Sequence, residues 1–124
     1  MTVITTISEA RAAVAAVLSD VAGIGTVLPA PDGRAPVTRT GWITIGRVAP
    51  AGFLGATVEL VAWIWLGQAE AEAEAAASEL AVPILTALRQ DLELPAGDLT
   101  VQPAVTQVGS APVYAVQAIL TIEI

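Results

Sequence analysis

Cysteine, histidine and lysine are all missing from this 124-residue sequence. Without cysteine there is no disulfide framework and no thiolate site for a metal. Without histidine the commonest general base is gone, and without lysine so is the Schiff-base amine. Carboxylates, hydroxyls, one tyrosine (Tyr114) and five arginines (Arg11, Arg34, Arg39, Arg47, Arg89) are left for chemistry. The expectation is a non-enzymatic protein with no catalytic residues, no metal and no cofactor.

Charge is scarce as well. Charged residues make up 14% of the chain, against about 25% in ordinary domains. The apolar fraction is 55%, above the usual ~45–50%. So little charge cannot coat the surface of a monomer, and a membrane or another protein chain is the expected cover. A membrane is the weaker choice, because no run approaches the ~20 apolar residues of a spanning helix. The opening MTVITTISEAR has no basic stretch followed by an apolar run, so no secretory leader is expected. The net charge of −7 makes phosphate binding an improbable main task. The length fits one domain over residues 1–124.

What is present falls into alternating patterns. Thr6-Ile7-Ser8-Glu9 reads as a capping box, followed by Ile7, Val14, Val17, Leu18 and Val21 on one helical face. Gly23 and Gly25 close that helix. The stretch Val27 to Gly41, VLPAPDGRAPVTRTG, holds three prolines and two glycines and predicts a long loop. Trp42 to Val48 and Ala56 to Leu66 predict an antiparallel hairpin, turned by APAGFLG. Gln68 to Asp91 predicts a helix despite its Ala-Glu alternation, since both residues favour helix over strand. Its stripe is Ala69, Ala73, Ala76, Ala77, Leu80, Ile84 and Leu88. Pro83 predicts a kink or a split, with Ser78 as a second N-cap. Asp98 to Val108 predicts an edge strand, because Pro103 cannot donate to a ladder, with Leu99, Val101 and Val105 on its core face. Pro112 to Ile124 predicts the last strand. The expected fold class is α+β, an antiparallel sheet of about four strands with two helices packed on one face, in the order α-β-β-α-β-β.

Alternation divides the sheet into two faces. Val58, Leu60, Ala62, Ile64 and Leu66 share a wholly apolar face, to be covered by the helices. Thr57, Glu59, Val61, Trp63 and Trp65 share the other. The last strand adds Val113, Ala115, Gln117, Ile119, Thr121 and Glu123 to that second face, and the third adds Thr100, Gln102, Ala104 and Thr106. Such a weakly charged face with tryptophan at one end suits a subunit interface. The contact residues expected there are Val61, Trp63, Trp65, Gln117 and Ile119. The alternative is cover by a loop of the same chain, Val27 to Gly41 or Ala49 to Gly55.

The order of elements, with an N-terminal amphipathic helix, a proline-rich loop, a hairpin, an Ala-rich helix and a C-terminal hairpin, resembles the tail terminator (tail completion) proteins of long-tailed bacteriophages. The passage AWIWLGQAEAEAEAAASELAVPILTALRQDL is similar to the strand-to-helix passage of actinobacteriophage members. The resemblance spans nearly the whole chain and lies in size and element order, not in a short motif. It implies a hexameric ring on the end of the tail tube. The ring would stop tube polymerisation, join the tube to the head-side connector and let DNA pass without sequence-specific contact. It further implies a place at the neck end of the virion tail, after synthesis in the host cytoplasm.

In such a ring, Glu59, Asp98 and Glu123 are candidates to line the channel and repel phosphate. Arg34, Arg39 and Arg47 are candidates to meet a neighbouring subunit or an acidic partner ring, or else are simply solvated. Three other readings stand beside this one. They are another head–tail neck or connector component, a dimeric small-molecule-binding α+β module with Trp42, Trp63 and Trp65 at its pocket, and a hydrolase pairing Glu59 with Asp98.

Overall fold

A computed structural model describes residues 6–92 and 96–124. The first five residues of the stretch scanned for a leader lie outside the described residues. Helix α1 spans Ile7–Ser19, strand β1 Val27–Leu28, β2 Gly41–Ala51, β3 Gly55–Gly67, helix α2 Glu70–Gln90, β4 Ala96–Val108 and β5 Ala111–Glu123.

The described residues form a mixed α+β fold, with two helices and a five-stranded sheet in the order β1-β2-β3-β5-β4. This corrects the expectation of an all-antiparallel sheet of about four strands. The extra strand, β1, sits inside the stretch predicted as loop and pairs parallel with β2 through Val27↔Gly41 and Leu28↔Trp42. Two residues are too few to show a period in sequence. Tertiary ties make the strand instead. Ser19 Oγ accepts from the Val27 amide at 3.0 Å. The Arg11 guanidinium donates to the Pro29 carbonyl at 2.8 Å and to the Ile43 carbonyl at 2.7 Å.

The α1 cap forms as its residues dictate. Thr6 Oγ1 accepts from the Glu9 amide at 3.1 Å and donates to the Glu9 carboxylate. Val14, Leu18 and Val21 of the predicted stripe are buried, and so are Ala10 and Ala15.

Helix α2 is one continuous helix through Pro83, so the expected split does not occur. Ser78 does not cap a second helix; its hydroxyl donates to the Glu74 carbonyl at 3.0 Å. A mid-helix proline removes one backbone bond at a cost of ~3 kcal/mol. Here Leu80, Ile84 and Leu88, on both sides of the proline, are all buried in the same core, and that packing offsets the lost bond.

The main core lies between the helices and one sheet face. It joins Val14, Leu18, Leu80, Ile84 and Leu88 to Ile43, Val58, Leu60, Ala62, Ile64, Val116, Ala118, Leu120 and Ile122. The predicted β2–β3 hairpin is antiparallel, pairing Gly41 with Ile64 through Ala51 with Gly55. Strand β4 is an edge strand, as Pro103 required. Of its expected core residues, Leu99 and Val101 pack on the core while Val105 stays exposed.

Two glycines fit close approaches. A side chain at Gly41 would overlap the Trp63 carbonyl, and one at Gly46 would meet the Glu59 carboxylate at 2.5 Å. Gly46 marks a β-bulge between Ile45 and Arg47.

Candidate interaction surface on the open sheet face

The ladder registers assemble the second face row by row. Trp42 pairs with Trp63, Trp63 with Gln117, and Gln117 with Gln102. The next row runs Thr44, Val61, Ile119 and Thr100. Toward the β2–β3 turn, Arg47 pairs with Glu59 and Glu59 with Thr121, and the last row sets Ala49, Thr57 and Glu123 side by side. The residues expected to share a contact face do share it: Val61, Trp63, Gln117 and Ile119 are adjacent and half-buried.

At one end of this face the tryptophans form a small core of their own. Trp65 stacks on Trp63 with centroids 5.3 Å apart and meets Trp42 edge-on at 5.1 Å. Trp65 is 5% exposed and packs with Val113 and Ala115. Its cover comes from its own chain. The segment before β2 crosses here, with the Arg39 amide donating to the Trp65 carbonyl at 2.6 Å and the Trp65 amide to the Thr40 carbonyl at 2.8 Å. Ala35, Pro36 and Thr38 line a cavity of about 360 Å³ with Trp65, Gly67 and Val113. Loop cover therefore applies to Trp65, while Trp63, Val61, Gln117 and Ile119 stay half-buried on the face.

Hydrogen bonding separates the tryptophans too. Trp63 Nε1 donates to Thr44 Oγ1 at 3.2 Å, and Thr44 Oγ1 in turn donates to the Val61 carbonyl. Trp65 Nε1 is buried without a hydrogen-bond partner among the described residues. Across the face, Gln102 Nε2 donates to Gln117 Oε1 at 3.1 Å.

The acidic candidates gather at the other end. Glu59 and Glu123 lie on adjacent strands one row apart. Asp98 falls between the pairs Ala96↔Ile122 and Leu99↔Leu120, beside Thr121. Glu59 and Asp98 thus flank Thr121 about two strand spacings, or ~10 Å, apart by backbone. No three acidic groups among the described residues are placed to hold a metal ion.

The arginines part company. Arg34 pairs with Asp32 two residues away at 2.9 Å, in the loop itself. Arg39 reaches the acidic helix of its own chain, with Nη2 3.2 Å from Glu79 and Nη1 donating to the Gly23 carbonyl at 3.1 Å. Its backbone takes a left-handed φ of 65°, so this arginine works as a knot between loop, α2 and β3. Arg47 is exposed and makes no ion pair among the described residues.

Two features escaped the sequence reading. The turn of the β2–β3 hairpin lifts Phe53 and Leu54 to 98% and 93% exposure. The sequence signal is a pair of large apolar residues bracketed by Gly52 and Gly55, and their exposure shows that this turn does not fold over the second sheet face as the Ala49–Gly55 alternative expects. The second is a groove of about 590 Å³ between α2 and the β4–β5 hairpin. It arises from packing between segments far apart in sequence, which no local pattern reports.

The chain matches no protein-family model and no curated protein.

Proposed function

We propose that this chain is a structural protein of a phage tail. It forms a ring that caps the tail tube, stops its polymerisation and joins it to the head-side connector, with DNA passing through. The observation that carries the reading is the open sheet face. Trp63, Val61, Ile119 and Gln117 form a contiguous, uncharged and half-exposed patch on a chain with too little charge to coat itself. Interfaces favour this mixture of aromatic and neutral polar groups. The acidic end formed by Glu59, Asp98 and Glu123 suits a channel wall that repels phosphate. The resemblance in element order supports the tail terminator over other neck components. Which purified ring the chain binds, tube or portal side, separates the two.

A single observation favours a second reading, a small-molecule-binding module. The cavity beside Trp65 adjoins a tryptophan whose indole N–H is unpaired. In that case a ligand would quench the tryptophan fluorescence.

Light scattering after size exclusion, followed by negative-stain imaging, tests the assembly. Rings of about six copies of the 12.6 kDa chain are expected. A compact dimer contradicts the ring and favours the ligand-binding module.

A further inference from the structure

Among the described residues, Trp65 Nε1 is the single buried side-chain polar atom left without a hydrogen-bond partner. An N–H taken out of water and left unbonded is unfavourable, because its hydration is lost and nothing replaces it. Trp63 shows the satisfied alternative one turn of the pleat away, with Nε1 donating to Thr44 Oγ1 at 3.2 Å.

The unused donor belongs to a residue that lines a cleft. Ala35, Pro36 and Thr38 form one wall, and Trp65, Gln68 and Val113 the other, around about 360 Å³. That volume lies at the lower end of ligand pockets, which run ~300–1,000 Å³. No charged side chain lines the cleft. The Thr38 hydroxyl and the Gln68 amide are exposed and make no hydrogen bond among the described residues.

The first wall is held only at its ends. Arg11 donates to the Pro29 carbonyl, and the Arg39 amide to the Trp65 carbonyl. From Ala30 to Thr38 the hydrogen bonds among the described residues are local, Arg34 to Asp32 and Thr40 to Val37. None ties this stretch to the sheet, so lifting it breaks no hydrogen bond to the sheet.

We propose that the cleft binds a small neutral carboxamide, whose carbonyl oxygen accepts from Trp65 Nε1 once the 30–38 stretch lifts to admit it. The ligand is neutral because the cleft offers no countercharge, and a charge buried without one is strongly disfavoured. It carries a carbonyl because the unused group is a donor. An amide suits the rest of the lining, since its N–H can donate to Gln68 Oε1 or Thr38 Oγ1. Pro36, Val113 and the indole face take its apolar part. This names the ligand class for the second reading above, on which it rests, and it holds whether or not the chain caps a tube.

Indole N–H resonances read the site directly, because the chain has three tryptophans. The full-length chain, isotope-labelled at tryptophan, is titrated with benzamide. Benzoate and toluene serve as controls of similar shape, one charged and one without an acceptor. Benzamide should move the Trp65 peak, assigned by its loss in Trp65→Phe. It should leave the Trp63 peak in place, because that N–H is already bonded. Benzamide should bind about ten-fold more tightly than toluene, the factor for one net hydrogen bond. Trp65→Phe should abolish that ratio and leave toluene binding in place. Thr38→Val, at an exposed position outside the core, should weaken benzamide several-fold and spare toluene. A Trp65 peak that stays put, equal binding of benzamide and toluene, or tighter binding of benzoate overturns the proposal. Toluene binding without that discrimination would keep the cleft as a ligand site, whereas a chain that binds none of the three ends the ligand-binding reading too, so the two failures are distinguishable.

Discussion

The two faces of the sheet come from the same strands and the same alternation, yet they are finished differently. The helix-side face is uniform: Val58, Leu60, Ala62 and Ile64 are all fully buried, as are Leu120 and Ile122 beside them. The other face changes along its length, from a closed tryptophan cluster, through a half-exposed neutral middle, to an acidic end. Period two in a strand decides which residues share a face. It does not decide what covers that face. Helices cover the central strands β3 and β5 and leave Val105 of the edge strand open, whereas one loop covers only the residues beneath it.

Unfolding midpoints in urea put this comparison to the test. The largest loss is expected at the closed end of the open face: Trp65→Ala should cost about 3–5 kcal/mol, the range for a large buried aromatic. A loss under 1 kcal/mol would show that the loop does not seal this end. Leu60→Ala on the helix side should cost about 2–5 kcal/mol, with the cavity left behind adding to the lost burial. Trp65→Phe sharpens the contrast. It keeps most of the ring but removes a buried N–H that has no partner, so the cost should stay under about 1.5 kcal/mol. A larger loss would mean that the indole nitrogen is bonded in solution.

Smaller effects follow nearer the surface. A double-mutant cycle on Arg39→Ala and Glu79→Ala should give a coupling of about 0–1 kcal/mol, because the pair is partly solvated and screened. Raising the salt should shrink it. At the acidic end of the open face, Thr121→Ala should change stability by no more than about 0.5 kcal/mol. A loss above 1 kcal/mol there would mean that the open face is already closed in the isolated chain.

Local chemistry made much of the fold legible. The Thr6–Glu9 cap, the β2–β3 hairpin, the Ala-rich α2 and the edge position of β4 each follow from a few residues whose preferences agree with their tertiary setting. The division of the two faces followed as well, down to the adjacency of Val61, Trp63, Gln117 and Ile119. The misses share one cause. Strand β1 exists through bonds from Ser19 and Arg11, and α2 survives Pro83 through core packing on both sides of it. The tie of Arg39 to Glu79 and Gly23 of its own chain likewise joins residues far apart in sequence. Each is a tertiary effect that outweighs a local preference. The groove on α2 belongs to the same class, since it forms between segments far apart in sequence.

The central claim is that the chain ends a tube. The direct measurement is to add it in substoichiometric amounts to polymerising tail-tube subunits from the genome that encodes it, and to image the products. The account predicts shorter tubes with one added ring at one end. Tubes of unchanged length with bare ends at saturating protein would contradict it.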